Sequence, residues 1–136
     1  IILDNGGRKV STWGYLASLT AKMKSVTGAI VYGGVRDIEE IRRLNFPVFA
    51  EHIILTSGKR RIKVESMNVP IKIQDVKITP GDLVVADSTG IAIIPQEEGR
   101  RVLEEAKHLE ELERVFVSRI KRGASLSELS RKYKHM

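Results

Sequence analysis

Ala29-Ile30-Val31-Tyr32-Gly33-Gly34-Val35-Arg36-Asp37 decides the reading of this chain. An apolar strand ends in glycines and then presents an Arg and an Asp side by side. The glycines allow a sharp turn and leave open space in front of the two charges. An Arg guanidinium grips a carboxylate through two parallel hydrogen bonds, and an adjacent Asp offers a hard oxygen to a divalent cation such as Mg2+. The pair suits a small, multiply oxygenated anion such as a 2-oxo acid on a metal. A structural reading stands beside it. Asp37-Ile38-Glu39-Glu40 is a capping box, with Asp37 as N-cap and Glu40 at the third helical position. It opens a short amphipathic helix with Ile38, Ile41 and Leu44 on one face, and on spacing alone the cap is the commoner role for Asp37, with Arg36 a solvated charge. The two readings are compatible, since a helix N-terminus favours an anion.

Outward from this stretch, Ile1 to Leu3 reads as a short buried strand closed by the turn Asp4-Asn5-Gly6-Gly7. From Thr12 to about Lys24, Leu16, Leu19, Ala21 and Met23 recur at helical spacing. Thr27 to Tyr32 is a continuous apolar run, as in a strand covered on both faces, and Pro47-Val48-Phe49-Ala50 continues the alternation. The first fifty residues thus predict βαβαβ with parallel pairing. The middle changes character. His52–Leu55, Arg61–Val64, Val69–Ile73, Val76–Ile78, Leu83–Ala86 and Ile91–Ile94 are short β-rich runs separated by turn signals such as Pro80-Gly81-Asp82 and Asp87-Ser88-Thr89-Gly90. They predict antiparallel strands or a small barrel-like sheet. After Pro95, Val102, Ala106, Leu109, Leu112, Phe116 and Ile120 mark a long charged helix ended by Gly123. The capping box Ser125-Leu126-Ser127-Glu128 starts a last one. The expected division is an α/β core over 1–96 and C-terminal helices over 97–136.

With 136 residues and 42% hydrophobic content, the chain fits one α/β or α+β domain with a real core. No apolar run approaches a membrane span and no signal peptide is visible. The absence of cysteine excludes disulfides and thiolate metal sites and agrees with a cytoplasmic location. The opening Ile1-Ile2-Leu3-Asp4, without an initiator Met, reads as the start of a fragment.

Gly14-Tyr15-Leu16-Ala17, Gly33-Gly34-Val35-Arg36-Asp37, Pro47-Val48-Phe49-Ala50, Asn68-Val69-Pro70 and Pro80-Gly81-Asp82-Leu83-Val84-Val85-Ala86-Asp87, in that order, give the chain a resemblance to the RraA-like family. That family includes the regulator of ribonuclease E activity and the class II 4-hydroxy-4-methyl-2-oxoglutarate aldolases. The resemblance implies a swivelling β/β/α fold with a C-terminal helical tail, assembled as a homotrimer or hexamer with sites between subunits. It also implies some dozens of residues ahead of Ile1, and a possible fusion behind a hexulose-phosphate synthase domain. The family's signature is an Asp, twenty intervening residues, then Arg-Asp, with an acid close behind. Arg36-Asp37 and Glu40 match it, but Tyr15 stands where the signature has its first Asp. Tyr is a poor Mg2+ ligand at neutral pH. The roles implied are Asp37 as anchor of Mg2+ (or Mn2+), Glu40 in the metal's outer shell and Arg36 on the substrate. Gly14, Tyr15 and Leu16 would line the substrate, with the Tyr15 and Leu16 N–H groups receiving its carboxylate.

Two functions follow from the resemblance. One is a metal-dependent lyase acting on 4-hydroxy-2-oxo acids, with oxaloacetate decarboxylation as a side activity. The other is a non-catalytic regulator that binds a ribonuclease or another protein. A third reading, nucleic-acid binding, draws on the net charge of +6, on Lys59-Arg60-Arg61 with Lys63, and on Lys121, Arg122, Arg131, Lys132 and Lys134. It ranks lower, because Ser125–Tyr133 looks like the opening helix of a helix-turn-helix with no recognition helix after it, and aromatic stacking residues are scarce. Trp13 is read as a core residue, or a wall of the pocket. His52 has no second His or Cys at ligand spacing and reads as a strand-edge residue. His108 lies on a charged helix, His135 is near a frayed end, and Asp82 and Asp87 are turn residues.

Overall fold

The computed structural model describes residues 1–133, so Lys134 and His135 of the basic tail lie outside the described residues. The chain divides into two compact units, Ile1–Pro80 and a second from Gly81 onward.

The first unit is built on β3 (Ala29–Val35), the centre of a four-stranded parallel sheet. β4 (Val48–Ile53) runs along one edge, pairing Ala29 with Val48 and Val35 with Ile53. Two short strands follow one another along the other edge. β1 (Ile2–Asp4) pairs with Ile30 to Tyr32, and β2 (Ser11–Trp13) pairs with Gly34 and Val35. The apolar run is β3 and the parallel pairing is as expected, but only the face of Ala29, Val31 and Val35 is buried, while Ile30 and Tyr32 are half-buried.

The strand does not end at its glycines. It continues through Gly33 and Gly34, where the register with β4 shifts. A Cβ on Gly34 would lie 2.8 Å from the Val10 carbonyl oxygen, and Gly33 has φ +152°. These glycines therefore admit the loop between β1 and β2 close to the sheet, and are not what opens space before Arg36 and Asp37. His52, in β4, helps hold this loop by donating from Nε2 to the Gly7 carbonyl at 3.1 Å.

α1 (Tyr15–Met23) and α2 (Ile38–Arg43) pack against each other. The buried side of α1 keeps only part of the predicted stripe, Ala21 and the half-buried Leu19. Ser18 and Ala21 are buried and Ala17 half-buried, whereas Leu16 and Met23 are 73% and 78% exposed. Small side chains let the helix backbone approach the core closely. That core is Trp13, Ala21, Ala29, Val31, Val35, Ile41 and Phe46. Trp13 belongs to it, stacked on Phe46 with ring centroids 6.4 Å apart and 14° between planes.

Of the β-rich runs in the middle, Ile71–Ile73 (β5) and Val76–Ile78 (β6) form an antiparallel hairpin that ends the first unit. His52 and Ile53 belong to the end of β4 rather than to a strand of their own. Arg61–Val64 joins no strand, and no closed barrel-like sheet forms among the described residues.

The second unit begins with a second antiparallel hairpin, β7 (Leu83–Ala86) and β8 (Ile91–Ile94). Its turn is fastened by Asp87, whose carboxylate accepts from the Thr89 and Gly90 N–H groups at 2.7 and 3.2 Å. These bonds hold the Asp87 carboxyl below its ordinary pKa. A depressed carboxylate favours the folded turn above its unfolded pKa and loses that contribution as pH falls through the folded value. Amide exchange at Thr89 and Gly90, corrected for intrinsic rate, should therefore quicken below the ordinary carboxylate range, and Asp87→Asn should remove that pH dependence.

A short 3-10 turn (Gln96–Glu98) leads into α3 (Gly99–Ile120). Gly123, at φ +97°, follows the helix, and α4 (Leu126–Tyr133) opens on the predicted capping box. There Ser125 and Glu128 exchange bonds between side chain and backbone N–H at 3.2 and 3.3 Å. Phe116 is buried against the Tyr133 ring at 5.3 Å, with Arg119 above that ring. The rest of the predicted α3 stripe is less covered, since Leu109 and Ile120 are exposed. Among the described residues no helix is long and apolar enough to cross a membrane.

Candidate functional site

Parallel pairing of β2 with the end of β3 sets two turns side by side. Trp13 pairs with Val35, and the Arg36 N–H donates to the Trp13 carbonyl at 3.1 Å. The turn from β2 into α1 (Gly14-Tyr15) therefore faces the turn from β3 into α2 (Arg36-Asp37). Both lie at the carboxyl ends of parallel strands, where open α/β sheets gather their ligands.

Asp37 sits at the N-cap position of α2 in the left-handed conformation, φ 58° and ψ 41°, and makes no side-chain cap bond. This corrects the capping-box reading. Its carboxylate reaches instead across to α1, where Oδ2 accepts the Tyr15 N–H at 3.1 Å. Arg36 Nε lies 3.7 Å from the same oxygen. Both side chains are partly exposed, 47% for Arg36 and 40% for Asp37, so solvent screens this pair and leaves both groups open to a ligand. Asp37 Oδ1 has no hydrogen-bond partner among the described residues.

Gly14 makes the approach possible. A Cβ there would lie 2.6 Å from Asp37 Oδ2 and 3.2 Å from Arg36 Cγ. The turn it occupies is fixed from below. The Trp13 indole N–H donates to Ser18 Oγ at 2.8 Å, and the Ser18 hydroxyl donates to the Gly14 carbonyl at 3.1 Å. Ser18 is wholly buried, so both bonds are shielded from water. Sequence reasoning did not find Ser18. A Ser four residues into a helix after Gly is an ordinary pattern, and only burial distinguishes it.

The other predicted residues lie close by. Tyr15 and Glu40, together with Arg43 and Leu44, line a shallow depression of ≈ 300 Å³. The Tyr15 N–H is already given to Asp37, while the Leu16 N–H follows in the same first turn, where no intrahelical acceptor exists. Arg43 was not anticipated. Its neighbour Arg42 is paired with Glu39 at 2.8 Å, and Arg43 has no such pairing among the described residues.

Among the described residues no three His, Cys, Asp or Glu side chains gather as a metal cage. A single Asp37 oxygen is nevertheless a donor set that Mg2+ accepts, since that ion keeps several waters and fills its shell from one or two carboxylates and the substrate. The residues fit a one-carboxylate site, held from this chain by Asp37.

The Aldolase/RraA profile of the RraA-like family matches residues 1–93. An uncharacterized protein of Methanocaldococcus jannaschii is 38% identical over 128 residues, covering 94% of this chain and 61% of that protein. A 4-hydroxy-4-methyl-2-oxoglutarate aldolase of Thermus thermophilus is 33% identical over 71% of this chain and 58% of its own length. Among solved structures, an uncharacterized protein from Pseudomonas syringae superposes with a TM-score of 0.93 at 29% identity, covering 98% of this chain and 63% of that one. The RNA-processing inhibitor RraA from Thermus thermophilus superposes with 0.61 at 27% identity, covering 70% and 58%. The chain thus spans less than two thirds of the length of these relatives. With a family match over most of its length and the same fold, this chain belongs to the RraA-like family.

Proposed function

We propose that this chain carries the site of a divalent-metal-dependent carbon–carbon lyase acting on 4-hydroxy-2-oxo acids, with oxaloacetate decarboxylation as a side activity. One observation supports this above the rest. Asp37 abandons its helix cap, holds a left-handed backbone and turns its carboxylate toward the start of α1 beside Arg36. A structural cap would bond the N–H groups of its own helix, whereas this carboxylate forgoes them for the Tyr15 N–H. The catalytic part would lie within 1–96, with 97–136 as a helical extension, in a cytoplasmic homotrimer or hexamer.

Asp37 Oδ1 would hold Mg2+ or Mn2+, and Glu40 would act in its outer shell through water. When bound, the metal supplies Lewis acidity at the substrate's carboxylate and keto oxygens. Water in the open site would take the C4 hydroxyl proton as the C3–C4 bond breaks and C4 leaves as a carbonyl. The electron pair forms the C2–C3 double bond of an enolate whose oxygen Arg36 faces, and water then protonates C3 to give pyruvate. The Leu16 N–H, at the positive end of α1, receives the substrate carboxylate. Tyr15 holds Asp37 through its backbone, a role indifferent to its side chain. The Gly14 turn keeps these parts in register.

The test is pyruvate release from oxaloacetate and from 4-hydroxy-4-methyl-2-oxoglutarate by the full-length protein, with Mg2+ and with chelator. Turnover that chelator abolishes and Mg2+ restores is expected. The absence of turnover from folded, assembled protein would sink the lyase. Tyr15 at the position of the signature's first Asp favours a second reading, an RraA-type regulator that binds a ribonuclease or another protein without catalysis. That result would promote it.

A further inference from the structure

Gly14 stands at the N-cap position of α1 and brings no side chain to cap it. A capping Ser or Asp has no room there, because a Cβ would meet Asp37 Oδ2 at 2.6 Å. The turn at the site is thus made of the most pliable residue, where a helix is ordinarily fastened by its own cap. Its fastening comes from beneath.

Among the described residues the buried polar side chains are Ser11 and Ser18, 6% and 0% exposed. Both spend their hydroxyl hydrogens on consecutive carbonyls of this turn. Ser11 Oγ donates to the Trp13 carbonyl at 2.9 Å, and Ser18 Oγ donates to the Gly14 carbonyl at 3.1 Å. Each carbonyl also accepts a backbone N–H, from Arg36 at 3.1 Å and from Ser18 at 3.0 Å. Both acceptor sites of both oxygens are then in use.

The Gly14 carbonyl and the Tyr15 N–H belong to one peptide plane and point in opposite directions. Holding the carbonyl toward Ser18 therefore aims the N–H at Asp37 Oδ2, which accepts it at 3.1 Å. Satisfying the core does not account for both serines. Ser18 gives the Trp13 indole an acceptor, but the Trp13 carbonyl keeps the Arg36 N–H without Ser11. An Ala at position 11 would leave that carbonyl paired, and a hydroxyl costs more to bury than a methyl.

We propose that Ser11 and Ser18 are positioning residues, which hold the peptide planes on both sides of Gly14 and thereby aim the Asp37 carboxylate at its ligand. That the ligand is a metal rests on the lyase reading, whereas the aiming of the Tyr15 N–H does not. Neither serine touches substrate. They act through the backbone, as the partners behind a metal ligand do when they set its orientation.

The test uses the full-length protein labelled with 15N-tyrosine, the Tyr15 amide being assigned by its loss in Tyr15→Phe. Ser11→Ala and Ser18→Ala are each expected to move the Tyr15 amide resonance and to quicken its exchange several-fold. Each should also weaken binding of Mn2+, followed by the electron paramagnetic resonance of the free ion, by about tenfold. Val31→Ala, buried in the middle of β3, measures destabilisation alone and should leave both readouts near wild type. Ser11→Ala orphans no carbonyl at the turn, and it decides the matter if Ser18→Ala fails to fold. The proposal is overturned if Ser11→Ala leaves the Tyr15 amide unmoved, or if Val31→Ala moves it as far. It is equally overturned if the amide moves and the Mn2+ affinity of a metal-binding wild type does not follow. Wild-type protein that binds no Mn2+, or binding indifferent to Asp37→Asn, would instead sink the metal-dependent lyase, and the Tyr15 amide alone would then decide the role of the serines.

Discussion

Asp37→Asn is expected to lower kcat/KM for pyruvate release by about 10²–10³-fold while leaving the urea midpoint close to wild type. The reason lies in the backbone as much as in the charge. Position 37 is left-handed, a conformation that Asn tolerates as Asp does. The amide oxygen of Asn can still accept the Tyr15 N–H that Asp37 Oδ2 accepts now. The substitution therefore removes one negative charge and little else, and a loss of activity reports on that charge. Asp37→Ala is a cruder test, because Ala adds about 1–2 kcal/mol of left-handed strain and deletes the link to α1. If Asp37→Asn were as active as wild type, the carboxylate would be structural and the lyase proposal would lose its anchor.

Trp13→Ala is expected to be the most destabilising single change, costing about 3–5 kcal/mol, a large share of the stability of a small domain. The indole is buried, stacked on Phe46 and bonded to the wholly buried Ser18. Trp13→Phe keeps a ring against Phe46 and loses the indole N–H, so it should cost about 1 kcal/mol plus a small cavity term. Urea unfolding followed by circular dichroism separates the two. Equal losses would mean that the N–H, and not ring packing, governs this corner of the core.

Local features of this chain were legible in its sequence. The apolar run Ala29–Tyr32 gave away the central strand, which buries Ala29, Val31 and Val35 on one face and half-covers Ile30 and Tyr32 on the other. The Ser125–Glu128 box was legible because both partners lie within one turn. What escaped notice depended on contacts distant in sequence. β2 is three residues long, too short for any periodicity, and exists because the end of β3 offers it an edge. The buried face of α1 was legible in part, since Ala21 lies in the predicted stripe, but Ser18 is not apolar enough to outweigh Leu16 and Met23 on paper. For Asp37 the local pattern and the distant partner competed, and the Tyr15 amide, 22 residues away, prevailed over the cap. Arg61–Val64 has the pattern of a strand, but pattern alone does not supply a neighbour.

Trp13 is the sole tryptophan of the chain, and the residue after it is Gly14 of the site. Its indole N–H reports on Ser18, which in turn holds the Gly14 carbonyl. Any occupant that shifts the Gly14-Tyr15 turn must therefore alter the surroundings of the one dominant fluorophore. The native emission should be blue-shifted by burial, and its intensity should respond to titration with Mg2+ or oxalate. The protein thus carries its own optical sensor for site occupancy, one that requires no label and no turnover.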